Sequence, residues 1–115
     1  MIAVIFEVWP HKARRDDYLT HAAALKDHLK EVPGFISVER FESLTEPGKL
    51  LSLSFWEDED ALQGWRNLAV HRKAQSKGRS DYFADYRLRV AGVIRDYGKT
   101  DRAEVPADSK AAHDG

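Results

Sequence analysis

A chain of 115 residues, 43% of them hydrophobic, carries enough apolar material for one small domain and too little for two separate cores. Its 18 Lys and Arg stand against 19 Asp and Glu, for a net charge of -1, so no long-range field gathers polyanions and nucleic acid is not expected as a partner. Cysteine is absent, which excludes disulfides, thiolate metal sites and thiol catalysis within this chain.

Ile2, Val4, Phe6 and Val8 alternate with Ala3, Ile5, Glu7 and Trp9, a period of two rich in β-branched and aromatic residues that predicts a strand from Ile2 to Trp9. Pro10 stops it. This start is short, lacks a basic leader and a small-residue cleavage site, and is expected to be a strand and not a secretory signal. No apolar run approaches the roughly 20 residues a membrane helix needs, so no membrane partner is expected and the default location is the cytoplasm.

From Lys12 to Val32 the apolar positions Tyr18, Ala22, Leu25, Leu29 and Val32 step by four and three, placing one apolar stripe on a predicted helix. Pro33-Gly34 ends it. Phe35 to Glu42 alternates again and predicts the second strand. Thr45-Glu46-Pro47-Gly48 is a turn signature, and Leu50 to Trp56 alternates as a third strand, so these two form a hairpin. Glu57 to Asp60 places four carboxylates where the positive end of a helix dipole favours them. Ala61, Leu62, Trp65 and Leu68 form that helix's buried stripe, Asn67 is a candidate cap, and a further helix is expected from about Ala69 to Lys77, closed by Gly78. Tyr86 to Tyr97 predicts a long last strand. After Gly98 the residues 99–115 turn polar, and this tail is expected to be mobile beside a domain of residues 1–98.

Strand, helix, strand, strand, helices, strand is the split βαβ order. It defines an α+β, ferredoxin-like fold, a four-stranded antiparallel sheet with helices on one face. Ile5 and Trp9 beside Val4 and Val8, and Leu51 and Leu53 beside Leu50 and Trp56, make both faces of that sheet apolar. The second face needs a cover, and an identical sheet from a second copy supplies it, so a homodimer is expected.

Pro33-Gly34-Phe35, then Leu53-Ser54-Phe55-Trp56-Glu57 leading to Trp65, then Val70-His71-Arg72-Lys73-Ala74-Gln75 resemble the antibiotic-biosynthesis-monooxygenase family over roughly residues 1–98. The resemblance implies a dimeric α/β barrel with a pocket in each subunit between sheet and helices. Its members include quinone-forming oxygenases that need no metal or organic cofactor, haem-degrading oxygenases, and proteins without an assigned reaction. The haem-degrading branch uses an asparagine on the first strand, a tryptophan, and a histidine that ligates iron. Trp65 matches the tryptophan, whereas Glu7 stands at the asparagine and Gln75 at the histidine, so a haem ligand would have to be His71, one turn earlier.

The expected function is a cofactor-independent monooxygenase that joins dioxygen to a small aromatic or quinol-like compound. The alternatives are a haem-degrading monooxygenase and a non-catalytic binding or stress-response dimer. His71 is the candidate proton acceptor, because an imidazole titrates near neutral pH; the competing reading is a histidine that caps or packs. Glu7 is a second catalytic candidate if a desolvated pocket raises its pKa, or else it pairs with Arg87 or Arg89 across the sheet. Trp65 is a core residue or a pocket wall. Tyr82, Phe83 and Tyr86 line a flat ligand site or plug the barrel end, and Arg40 and Arg79 can hold a carboxylate or phenolate or lie at the surface. His21 and His28, seven apart, lack the spacing that grips a metal on one turn, and no metal site is expected.

Overall fold

A computed structural model of the chain describes residues 1–73 and 82–109. Four strands, β1 (Ile2–Pro10), β2 (Phe35–Glu42), β3 (Leu50–Trp56) and β4 (Phe83–Gly92), and two α-helices, α1 (Arg15–Leu29) and α2 (Glu59–Lys73), follow one another in the split βαβ order. The sheet runs β2-β3-β1-β4 with every neighbouring pair antiparallel. The molecule measures 53 × 35 × 20 Å, and its thinnest dimension leaves room for about one helix layer on one sheet.

Several boundaries differ from the sequence reading, the first strand taking in Pro10 among them. The first helix does not begin at Lys12: a 3-10 turn occupies Lys12–Arg14, closed by the Arg14 N–H donating to the His11 carbonyl at 2.8 Å, and α1 starts at Arg15. It ends at Leu29, because the amides of Glu31 and Val32 reach back only three residues, to His28 and Leu29, tightening the chain into the Pro33-Gly34 turn. Asn67 is not a cap, since α2 runs through it to Lys73. The start of α2 is capped instead by Asp58, whose carboxylate accepts from the Ala61 N–H at 2.8 Å. The last strand spans Phe83–Gly92, not Tyr86 to Tyr97. It begins earlier because Phe83 still pairs with Pro10, and its ladder with β1 closes at Gly92 opposite Ile2, followed by one bond from the Val93 N–H to the Met1 carbonyl.

Strand parity separates two faces. Val8 is fully buried and forms a core cluster with Tyr18 and Ala22 of α1 and Leu50 of β3, so Ile2, Val4, Phe6 and Val8 face the helices and Ala3, Ile5, Glu7 and Trp9 face away. The register carries this across the sheet. Leu50, Ser52, Ser54 and Trp56 pair with Val8, Phe6, Val4 and Ile2 on the helix side, while Leu51, Leu53 and Phe55 pair with Glu7, Ile5 and Ala3 on the outer side. Trp56, 1% exposed, anchors the other end of the core, with Phe35 edge-on at 5.3 Å between ring centroids.

Candidate functional site

On the helix side, the four side chains of β3 run large, small, small, large: Leu50, Ser52, Ser54, Trp56. Two serines at the middle of a sheet are poor core fillers, and they put a shallow stretch between two aromatic ends. At one end Trp65 of α2 stacks on Trp56, centroids 6.4 Å apart and planes 29° off parallel, while the Trp56 indole N–H donates to Ser54 Oγ at 3.0 Å. At the other end Phe6, Tyr18, Phe83 and Tyr86 form a network of tilted and edge-on rings, with centroid distances of 5.3 to 6.1 Å. Tyr82 extends it, lying against His21 at 6.2 Å and under the Arg14 guanidinium at 4.8 Å.

The predicted site residues therefore fall into three groups. Tyr82, Phe83 and Tyr86 come together as expected. Trp65 lies on the same face at the opposite end: Trp56, on which it stacks, pairs with Ile2, whereas Tyr86 pairs with Val8, six residues or about 20 Å along the strand. Arg40, on β2, is in register with Ser52 and so faces the helices between these ends. Its Nε is buried and has no hydrogen-bond partner among the described residues. On the β4 side the floor is open, with Leu88 55% and Val90 47% exposed. His71 belongs to α2 by its backbone, but its side chain lies outside the described residues, as do Gln75 and Arg79 altogether.

Glu7 is elsewhere. It faces the outer side of the sheet, where its carboxylate accepts from Lys49 Nζ at 2.5 Å and from Arg89. Of the two readings of Glu7, a desolvated carboxyl with a raised pKa or a partner of Arg87 or Arg89, the structure shows the pairing with Arg89: hydrogen bonds from Lys49 first and Arg89 second hold Glu7 below the ordinary glutamate range, and Lys49 is pushed up in turn. At neutral pH it is a standing anion, unsuited to donating a proton. A cavity of about 270 Å³ beside it is lined by Ile5, Phe41, Lys49 and Leu51 among others. The Arg89 partner was foreseeable from strand pairing; Lys49, contributed by the hairpin turn, was not signalled by any periodicity. Ser52 and Ser54 were also missed, although their alternation with leucine and phenylalanine was visible.

A haem site of the degrading type is not supported by position 7, since a carboxylate already committed to two cations on the opposite face from Trp65 offers no counterpart to the expected asparagine. No group of residues suited to holding a metal ion occurs among the described residues, and no helix among them is long and apolar enough to cross a membrane.

A two-layer, ferredoxin-like slab with two serines between aromatic ends on its helix side is a candidate cradle for a small molecule. Residues 1–77 match the sequence model of the family described as antibiotic biosynthesis monooxygenase, and the chain belongs to that family. It is 50% identical over 93 residues to a jasmonate monooxygenase from Pyricularia oryzae, covering 81% of this chain and 43% of that protein. It is 38% identical over 63 residues to the uncharacterized protein YqjZ of Bacillus subtilis, covering 55% of this chain and 54% of that one. The chain thus spans about half the length of these curated relatives. Among solved structures, the heme-degrader MhuD of Mycobacterium tuberculosis superposes with a TM-score of 0.70 at 17% identity, over 85% of this chain and all of that one (100%), which establishes the shared fold alone.

Proposed function

We propose that the chain is a monooxygenase domain that oxidises an activated C–H bond of a small ring compound with dioxygen, without a metal or organic cofactor, as a homodimer in the cytoplasm. The observation that carries the reading is the helix-side floor, where Ser52, Ser54 and Arg40 place polar groups between Trp65 and the Phe6, Phe83 and Tyr86 cluster. The 50% identity to a protein named for jasmonate oxidation supports both the oxygenase reading and a substrate of this size.

In this reading His71 takes a proton from a carbon acid or phenol, and the resulting anion gives electrons to dioxygen. Oxidising a methylene to a carbonyl consumes one dioxygen and releases one water, so the substrate supplies all four electrons and no reductant is required. Homodimerisation is supported by the outer sheet face, where Ile5, Leu51, Leu53, Phe55 and Phe41 lie side by side.

The test is dioxygen uptake by the purified chain, with chelator and without reductant, on anthrone-type, quinol and cyclic keto acid substrates. Uptake with one product oxygen derived from dioxygen is expected. His71→Ala is expected to lower turnover by about 10²-fold or more. Unchanged turnover overturns the role of His71, and uptake only with added reductant overturns the cofactor-free route.

A further inference from the structure

Arg40 lies on the helix side of β2, in register with Ser52, which is in register with Phe6, which is in register with Leu88. These four residues make one row straight across the sheet, and with strands about 4.8 Å apart Phe6 stands about 10 Å from Arg40. A buried N–H donor left without an acceptor is uncommon in a folded protein and calls for a partner. The Arg40 Nε is in that condition among the described residues. The carboxylate on the same face of the strand does not answer it, because Glu42 is engaged by Arg15 at 3.5 Å. Glu39 is on the other face, in register with Leu53.

We propose that Arg40 is the anion anchor of the cradle: its guanidinium, beside the Ser52 hydroxyl, receives the carboxylate of a small organic acid whose apolar body lies over Phe6 toward Leu88. The planar guanidinium fork matches a carboxylate in two parallel hydrogen bonds, which an ester cannot accept with a full negative charge. The substrate class is accordingly the free acid and not its ester. This rests on reading the helix-side floor as the substrate site, and it adds the group by which substrates are told apart.

The experiment compares jasmonic acid and phenylpropanoic acid with their methyl esters, binding followed by calorimetry and turnover by dioxygen uptake. The unmodified chain is expected to bind at least one acid about tenfold or more tightly than its ester. Arg40→Gln is expected to abolish that preference by weakening the acid alone, and Arg40→Lys to restore part of it. Thermal melting of each variant shows whether it is folded, and the acid-over-ester ratio of the unmodified chain needs no variant. Equal binding of acid and ester, no binding of either acid, or an equal loss for both in folded Arg40→Gln overturns the anchor. Acid-selective, Arg40-dependent binding without dioxygen uptake keeps the anchor and overturns the oxygenase reading. Uptake indifferent to Arg40 and to esterification does the reverse.

Discussion

At position 7 a carboxylate lies between two cations drawn from distant parts of the chain, Lys49 from the hairpin turn and Arg89 from β4. Its folded-state pKa is depressed, so the pairing favours the folded state fully at neutral pH. That contribution fades once the pH falls below the ordinary glutamate value of 4.5 and is gone below the depressed value in the folded protein. Lys49 works in the other direction, its contribution lost only as the pH rises through its raised value. Glu7→Gln is therefore expected to destabilise the protein at neutral pH and to flatten the acid side of its stability profile, measured by urea unfolding at a series of pH values. An unchanged acid limb would remove the ion pairs as its cause. The sequence made Arg89 a candidate partner through register. It could not place Glu7 relative to Trp65, because strand alternation gives two faces without saying which one the helices cover.

Among the elements, the two turns that use left-handed glycines show how packing modifies a local requirement. Gly34 and Gly48 have nearly the same backbone, φ +83° and +84°, yet a Cβ on Gly34 would lie 2.5 Å from the Ala61 Cβ of α2, while one on Gly48 meets nothing within 4 Å. Gly48→Ala is expected to cost about 1 kcal/mol from backbone conformation alone. Gly34→Ala adds overpacking against α2 for a total of about 3 kcal/mol. Chemical denaturation of both variants checks the order, and Ala61→Gly in the Gly34→Ala background should recover the packing part. The Pro33-Gly34 and Pro47-Gly48 turns were legible in the sequence, as were all four strands. The ends of α1 and β4 were not. Helical periodicity ignores the 3-10 turn that follows Pro10, and the alternation of β4 continues past Gly92, where its pairing with β1 ends.

For the whole molecule, a slab with helices on one side leaves the outer face of the sheet to be explained. We expect the purified chain to be dimeric in light scattering, with the outer faces of two sheets together, and Leu53→Arg, at the middle of β3, to shift it toward the monomer without unfolding it. A dimer indifferent to Leu53→Arg would put the interface elsewhere. Fold class and order followed from periodicity, because alternation and helical spacing are local. The site was legible only in part, since Arg40, Ser52, Trp65 and the Tyr82, Phe83 and Tyr86 group are distributed over four elements and their shared face emerges only from register.

The pairing of β1 on both flanks, with β3 on one side and β4 on the other, has a bearing on synthesis. A nascent chain released from the ribosome only as far as the end of α2 at Lys73 has the first strand zipped to β3 but holds out, unpaired, the backbone groups that β4 will take, those of Ala3, Ile5 and Glu7, on the same parity as the Met1 carbonyl that accepts from Val93. Such an edge is a template for pairing with another chain. It is sealed only when residues 83–92 emerge, a closure across some eighty positions that is slow by its topology, so the interval between those two moments is when this protein is most exposed to co-translational aggregation.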